Sequence, residues 1–88
     1  MKIVIVGAGK IGYSLAEELA NEDHDITVVD IDKDKVKLLS DTLDVMTLCG
    51  NGAAISIQRE ANVDESDLLI AVTAQDELNM LACIVARK

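Results

Sequence analysis

The chain of 88 residues is long enough for one domain with one hydrophobic core. Half of its residues are apolar, which excludes a disordered chain, and Tyr13 is its only aromatic residue, so the core must be aliphatic. Sixteen acidic against eight basic residues give a net charge of −8, which argues against a nucleic-acid partner because phosphate neutralisation requires basic patches.

Short apolar runs typical of buried parallel strands alternate with helical periodicities along the chain. The predicted strands are residues 2–6, 26–29, 45–48 and 68–72. A first helix follows the glycines at 7–12, with Ile11, Leu15 and Leu19 facing inward. Three more helices are predicted at residues 33–42, capped by Asp32, at 53–61, and from 76 to the end, the last with Leu78, Leu81, Ala82 and Val85 on its inner side.

This alternation predicts an α/β fold, a Rossmann-like doubly wound parallel sheet with strand order 3-2-1-4. We expect residues 1–88 to form one domain. Because the last helix reaches Lys88 without a Gly or Pro stop signal, we also expect that this helix is cut rather than finished.

The apolar run at the N-terminus, Ile3–Val6, is shorter than the ~7–15 residues of a signal sequence or the ~20 of a membrane-spanning helix. It predicts a cytoplasmic chain with no direct membrane insertion. Cys49 and Cys83 lie far apart without a CxxC pair or a nearby His, so we expect free, partly buried thiols and no zinc site.

The sequence Gly7-Ala8-Gly9-Lys10-Ile11-Gly12 fits GxGxxG directly after a strand and before a helix, as the dinucleotide-binding fingerprint requires. Gly7 would permit the tight turn, Gly9 would let a pyrophosphate approach the backbone, and Gly12 would let the helix pack closely on the strand. Free N–H groups at residues 9–11 would then face the anion.

Asp30 closes the second strand, where a carboxylate can accept hydrogen bonds from both hydroxyls of an adenosine ribose. It would repel a 2′-phosphate, which favours NAD(H) over NADP(H), while ATP and ADP also carry a free ribose diol. The alternative role is that of a turn or cap residue, which Asp32 fits better.

Two further turns end strands at the same edge of the sheet. Gly50, Asn51 and Gly52 could border the adenine or form a plain flexible turn. Thr73 and Ala74 could face the pyrophosphate or second nucleoside, or Thr73 could cap the last helix with Asp76 in a box-like pair.

Three other polar features are given surface roles. Lys10 could reach a phosphate, but a solvated lysine is favoured. His24, in a helix-to-strand turn at the edge away from the glycines, is expected to be a surface residue and no general base. The acidic segment 64–67 could suggest a metal site, but its residues are consecutive and lie at the edge away from the glycines, so a solvated turn is favoured.

The sequence resembles the N-terminal nucleotide-binding domain (regulator of potassium conductance) of the Trk/Ktr-type potassium uptake regulators. The stretches MKIVIVGAGKIGYSLAEEL and DITVVDIDKDK are common to NAD-binding proteins, and ANVDESDLLIAVTAQDELNMLAC is more specific. The resemblance implies that Gly7, Gly9, Lys10 and Ile11 hold the pyrophosphate. It also places Asp30 at the ribose and Ile31 beside the adenine, Gly50 and Asn51 flanking the base, and Thr73 and Ala74 near the phosphates or second ribose.

The same resemblance implies that residues 1–88 are one nucleotide-binding domain, truncated before strands 5 and 6. It also implies a cytoplasmic, non-catalytic module that binds NAD(H) or an adenine nucleotide such as ATP or ADP and regulates a membrane potassium transporter subunit. A homo-oligomer is expected because the fourth strand would expose a pairing edge. Two enzyme-class hypotheses remain beside it. One is the cofactor half of a truncated NAD-dependent dehydrogenase; the other is an S-adenosylmethionine-binding methyltransferase domain, which the glycine spacing disfavours.

Overall fold

The computed structural model describes residues 1–87 and contains four strands, four α-helices and one short 3-10 helix. In chain order these are β1 (Lys2–Val6), α1 (Lys10–Ala20), β2 (Asp25–Asp30), α2 (Lys33–Thr42), β3 (Met46–Cys49), α3 (Ile55–Glu60), the 3-10 helix (Val63–Glu65), β4 (Leu68–Ala71) and α4 (Asp76–Ala86). The strands form one parallel sheet in the order β3-β2-β1-β4, which confirms the predicted topology. The expectation that the last helix reaches Lys88 lies outside the described residues.

The central strand β1 is buried on both faces, as its continuous apolar run predicts. Ile3 and Ile5 point to one face, where Ala16 of α1 and Leu39 of α2 complete the larger part of the core. Val4 points to the other face, toward α3 and the 3-10 helix. Helices therefore cover both faces of the sheet, and the core contains only aliphatic side chains.

A polar contact joins the two helices of the first face near the surface. The hydroxyl of Tyr13 in α1 donates to Thr42 Oγ1 in α2 at 3.1 Å, and the Thr42 hydroxyl donates to the Leu38 carbonyl. The single aromatic residue of the chain thus lies at the α1–α2 contact rather than in the centre of the core.

Two predicted inward-facing residues are on the solvent side. Ile11 is 66% exposed, because the inner face of α1 is formed by Gly12 and Ala16, which lets the helix approach the glycine turn. Leu81 is 52% exposed, because α4 turns the small Ala82 inward instead.

Helix α3 is shorter than predicted, and its start has a local cause. Asn51 Oδ1 accepts from the amide of Ala53 at 2.9 Å, and the Asn51 carbonyl accepts from Ala54 at 3.0 Å. These bonds hold residues 53–54 in a turn, so α3 begins at Ile55.

The cysteine prediction needs one correction. Cys49 and Cys83 are free thiols, but both are exposed rather than partly buried. Cys49 ends the edge strand β3 and Cys83 lies on α4 on its solvent side, so neither position is enclosed by a neighbouring element.

Candidate nucleotide-binding cleft

A cleft of about 370 Å³ opens at the carboxyl ends of the strands. Because the strand order is β3-β2-β1-β4, the residues that follow each strand line it in that order from one side to the other. The lining residues are Val6, Gly9, Val29, Asp30, Ile31, Lys35, Gly50, Asn51, Gly52, Val72, Thr73, Ala74, Gln75 and Leu78. The structure therefore brings seven of the eleven predicted site residues into one cleft.

The glycine turn is held where β1 and β4 end. Gly7 has φ = +125°, and its amide donates to the Val29 carbonyl at 2.8 Å. A Cβ at this position would meet the backbone of Val72 at 2.9 Å, so both the conformation and the space require glycine. The tight turn predicted for Gly7 is present.

The N-terminus of α1 carries amide groups with no side-chain partner. Gly9 is the N-cap with extended backbone, no side chain caps the helix, and the first turn contains no acidic residue. The first helical bond runs from Tyr13 N to Gly9 O, so the amides of residues 10–12 precede it. A Cβ at Gly9 would meet nothing within 4 Å, so the backbone there faces open space in the cleft. This arrangement can accept an anion.

The remaining residues of the glycine motif lie beside the cleft rather than in its lining. Gly12 packs against the Gly7 carbonyl, which a Cβ would overlap, in agreement with its predicted packing role. The side chains of Lys10 and Ile11 are exposed and border a shallow groove on the outer surface of α1 with Ser14. Their contribution to a bound anion would therefore come from backbone amides.

Asp30 lies in the cleft, and both of its carboxylate oxygens accept hydrogen bonds from backbone amides. Oδ2 accepts from Ala8 N at 2.7 Å and Oδ1 from Asp32 N at 2.8 Å. Asp30 thus ties the glycine turn to the start of α2. Asp32, as predicted, caps α2 by accepting from Asp34 N and Lys35 N. Each Asp30 oxygen keeps a lone pair for a further donor such as a ribose hydroxyl.

The loop after β3 forms the wall of the cleft nearest Asp30. Gly50 N donates to the Asp30 carbonyl at 2.9 Å, and Asn51 makes the turn described above. A Cβ at Gly52 would overlap the Val6 side chain, so this loop packs directly on the end of β1. Ile31 projects at the rim with 74% exposure, an apolar surface on which a base could lie.

The loop after β4 forms the opposite wall, and its organising residue is Asn79. Asn79 Oδ1 accepts from the Thr73 amide at 2.9 Å and from the Thr73 hydroxyl, while Nδ2 donates to the Thr73 carbonyl at 3.0 Å. The predicted pair of Thr73 with Asp76 is wrong. Thr73 Oγ1 accepts from Gln75 N at 3.2 Å, and no side chain caps α4.

Sequence reasoning missed several lining residues, including Lys35, Gln75 and Leu78. Lys35 is the only basic residue in the lining, and it reaches the cleft because Asp32 sets the first turn of α2 beside Asp30. The Asp32 cap is the signal that could have placed Lys35. Gln58, which supports the cleft from behind, carried no signal because its partners are backbone carbonyls.

A larger hollow of about 800 Å³ lies at the opposite edge of the sheet, below the starts of the strands. It is lined in part by His24, which is half-buried rather than at the surface, and whose Nδ1 is enclosed without a hydrogen-bond partner. Among residues 1–87 no group of three or more His, Cys, Asp or Glu side chains is arranged to hold a metal ion. Within the same range, no helix has the length and apolar character needed to cross a membrane.

The parallel sheet in the order 3-2-1-4, with helices on both faces and a glycine turn after the first strand, defines a Rossmann-like α/β fold. Within that class the chain belongs to the TrkA-N domain family, whose model matches residues 3–88. This membership confirms the resemblance inferred from the sequence.

Relatives of the chain occur in both bacteria and archaea. The chain is 51% identical over 86 residues to the Trk system potassium uptake protein TrkA of Halomonas elongata, covering 98% of this chain and 19% of the relative. It is 36% identical over 88 residues to the TrkA homolog of Methanothermobacter thermautotrophicus, covering all of this chain and 41% of the relative. The chain thus spans a minor part of the length of these relatives.

Solved structures agree on the fold. The TrkA-N domain of the inner membrane protein YbaL from Escherichia coli superposes with a TM-score of 0.89 at 24% identity, covering 98% of this chain and 63% of that one. The Kef C-terminal domain of Shewanella denitrificans in its AMP-bound form superposes with a TM-score of 0.85 at 14% identity, covering 99% and 52%. At these identities the comparisons establish the fold alone.

Proposed function

We propose that this domain is the regulatory nucleotide-binding module of a potassium uptake system and that it binds NAD(H) or an adenine nucleotide in the strand-end cleft. The observation that carries the proposal is the conjunction of uncapped α1 amides, the open space at Gly9 and the Asp30 carboxylate along one cleft. These are the three features that a pyrophosphate and an adenosine ribose require.

The order of the strand ends supports a position in the cleft for each part of the ligand. The adenine would lie between Ile31 and the loop at Gly50 and Asn51, with its ribose at Asp30. The pyrophosphate would lie at the α1 amides beyond Gly9. The second ribose, or the terminal phosphates of ATP or ADP, would lie toward Thr73 and Ala74.

A regulatory role is supported by the names of the relatives, which concern potassium uptake. The ionisable residues of the cleft lining are Asp30 and Lys35, both on the β2 side where the ribose would be held, so we assign no catalytic residue. Regulation would proceed by a population shift, in which the nucleotide favours one geometry of the domain and that geometry biases the transporter.

The proposed partner is a membrane potassium transporter subunit, with the module on the cytoplasmic side and assembled as a homo-oligomer. The outer surfaces of β4 and α4 support assembly, because Leu68, Met80 and Ile84 are exposed apolar side chains there. β4 is also an edge strand with one side of its backbone unpaired by another strand.

The test is calorimetry with NAD⁺, NADH, NADPH, ATP and ADP on the wild type and on Gly9→Ala. Gly9 has φ = −74°, which alanine adopts, and its Cβ would enter open space, so the variant should fold normally. Its methyl group would occupy the place of the pyrophosphate, and we expect at least a roughly tenfold loss of affinity.

Ser40→Ala, an exposed change on α2 away from the cleft, is the control and should bind as the wild type does. Binding of NADH or an adenine nucleotide that is tighter than that of NADPH and weakened by Gly9→Ala supports the proposal. A wild type that binds none of the other four ligands more tightly than NADPH contradicts the proposal.

A further inference from the structure

Gln58 is the one buried polar residue of the described chain, with 6% exposure, and it bonds to a residue of the cleft lining. Its Nε2 group donates to the Gly52 carbonyl at 2.8 Å and to the Ala82 carbonyl at 2.9 Å. Gly52 belongs to the loop after β3, which we call the β3 wall (residues 50–52), and Ala82 lies in the middle of α4. A single amide group therefore ties this wall to α4.

Asn79 makes the equivalent connection on the other side. It belongs to α4, and its side-chain amide bonds to the amide, carbonyl and hydroxyl of Thr73. Thr73 starts the loop after β4, which we call the β4 wall (residues 73–75). Both walls of the cleft are thus attached to the same helix, one through a side chain of α4 and the other through a backbone carbonyl of α4.

We propose that α4 is the shared support of both walls, and that Gln58 and Asn79 are positioning residues that couple nucleotide occupancy of the cleft to the position of α4. The inference rests on the proposed function for the identity of the ligand, but the mechanical link between the walls does not depend on it. Neither residue is itself part of the cleft lining, but each bonds to a lining residue, so each acts through the loop that it holds.

The energetics favour a tight link. A buried amide that loses its partner carries the full cost of desolvation, so the β3 wall cannot leave α4 without leaving the buried Gln58 amide unpaired. The β4 wall cannot leave without breaking the three bonds of the half-buried Asn79. Because the coupling is a free energy shared between two sites, it acts in both directions. A ligand that draws the walls together moves α4, and a partner that holds α4 changes the affinity of the cleft.

The outer surface of α4 makes this coupling relevant to regulation. Met80 and Ile84 on this helix are 65% and 53% exposed. A helix that is bonded to both walls on its inner side and is apolar on its outer side is placed to report the state of the cleft at the molecular surface.

The decisive test measures each wall after a change at the other, in the ligand-free protein. Gln58→Met keeps the side-chain length but removes the donor at the β3 wall, and hydrogen exchange is followed at the Thr73 amide on the β4 wall. Asn79→Asp keeps the acceptor for Thr73 N but removes the donor to Thr73 O, and exchange is followed at Ala54 beside the β3 wall. We expect exchange at the distant wall to be about fivefold faster in each variant.

Glu77→Gln, an exposed change in the first turn of α4, is the control and should leave both walls unchanged. Exchange that is faster only at the substituted wall overturns the inference. If Gln58→Met does not fold, the Asn79→Asp measurement decides alone, since its bonds lie in a half-buried position.

A titration with NADH separates this inference from the proposed function. We expect Gln58→Met and Asn79→Asp each to weaken binding about fivefold, and the double variant to lose less than the product of the two, because both act through α4. Wild type that does not bind NADH contradicts NADH as the ligand and leaves the exchange result to decide the link between the walls. If the wild type binds NADH and the double variant loses affinity by the full product of the two single losses, the coupling is contradicted and the nucleotide proposal stays in place.

Discussion

Asp30 has two structural partners besides the ribose that we propose for it. Its carboxylate holds Ala8 in the glycine turn and Asp32 at the start of α2. The residue that would read the ribose therefore also fixes the distance between the ribose site and the pyrophosphate site. Removing the whole side chain would disturb both functions at once, so a variant of the same shape is required to separate them.

We expect Asp30→Asn to reduce the preference for NADH over NADPH by about tenfold. The amide oxygen can still accept from Ala8 N, although the bond from Asp32 N is lost, and the negative charge that repels a 2′-phosphate is gone. The measurement is the ratio of the two dissociation constants by calorimetry. Lys33→Gln, which changes a nearby charge outside the cleft lining, should leave that ratio unchanged. A ratio that is also unchanged in Asp30→Asn would remove the carboxylate from ribose recognition.

Residue identities at the strand ends were predictable because strand position alone places them at one edge. Gly9, Asp30 and Asn51 are predicted at this edge from the sequence, and all three line the cleft. Contacts that depend on the path of a loop were not predictable. The bonds of Gln58 to Gly52 and Ala82 join three different segments of the chain. Both acceptors are backbone carbonyls, which every residue has, so no sequence pattern indicates them.

Two of the helices that border the cleft differ at their N-termini. α2 has Asp34 in its first turn and is capped by Asp32, which already accepts from the amides of Asp34 and Lys35. α1 has neither a cap side chain nor an acidic residue there, and only Gly9 precedes it. In the same molecule, one helix N-terminus is closed by its own sequence and the other is left available to an anion.

The position of α1 depends on Gly12, and we expect Gly12→Ala to lower the free energy of unfolding by about 1–3 kcal/mol. The new Cβ would overlap the Gly7 carbonyl, so α1 would have to move away from the glycine turn. Urea unfolding followed by circular dichroism measures the change. Gly9→Ala is the matched control, since its Cβ meets nothing, and should stay within about 0.5 kcal/mol of the wild type. Equal stabilities of the two variants would contradict the packing role of Gly12.

Element order and strand order were predictable because short connections and right-handed crossovers leave few alternatives for a β-α repeat. Helix ends were less predictable. The start of α3 moved because the Asn51 side chain competes for the amide of Ala53, and a periodicity argument does not include that bond. Ile11 lies on the solvent side because Gly12, the smallest residue of α1, faces the glycine turn and approaches it closely.

The length of the whole molecule equals the range of its own electric field at low ionic strength. Its longest extent is 30 Å, and the screening length is about 30 Å at 0.01 M salt but about 8 Å at 0.15 M. With a net charge of −8, every acidic residue therefore repels an approaching nucleotide in dilute buffer. At higher salt only the groups near the cleft act on it.

We accordingly expect the affinity for NADH to rise about two- to fourfold between ~0.01 M and ~0.15 M salt. This is the reverse of the trend for a protein that binds phosphates through basic patches, where salt weakens binding. Calorimetry across a salt series measures it, with uncharged adenosine as the control ligand, whose affinity should not change. A falling affinity for NADH would mean that Lys35 at the cleft outweighs the overall charge.

The bond between Tyr13 and Thr42 makes the protein unusually simple to observe by optical spectroscopy. With no Trp or Phe in the chain, its near-ultraviolet absorption and intrinsic fluorescence come from a single phenol that sits at the α1–α2 contact. A change in that emission reports on the contact between Tyr13 and Thr42. Tyr13 belongs to α1, the helix whose N-terminus faces the cleft. The nicotinamide of NADH emits separately from tyrosine, so a single cuvette can follow the ligand and the α1–α2 contact as two independent signals.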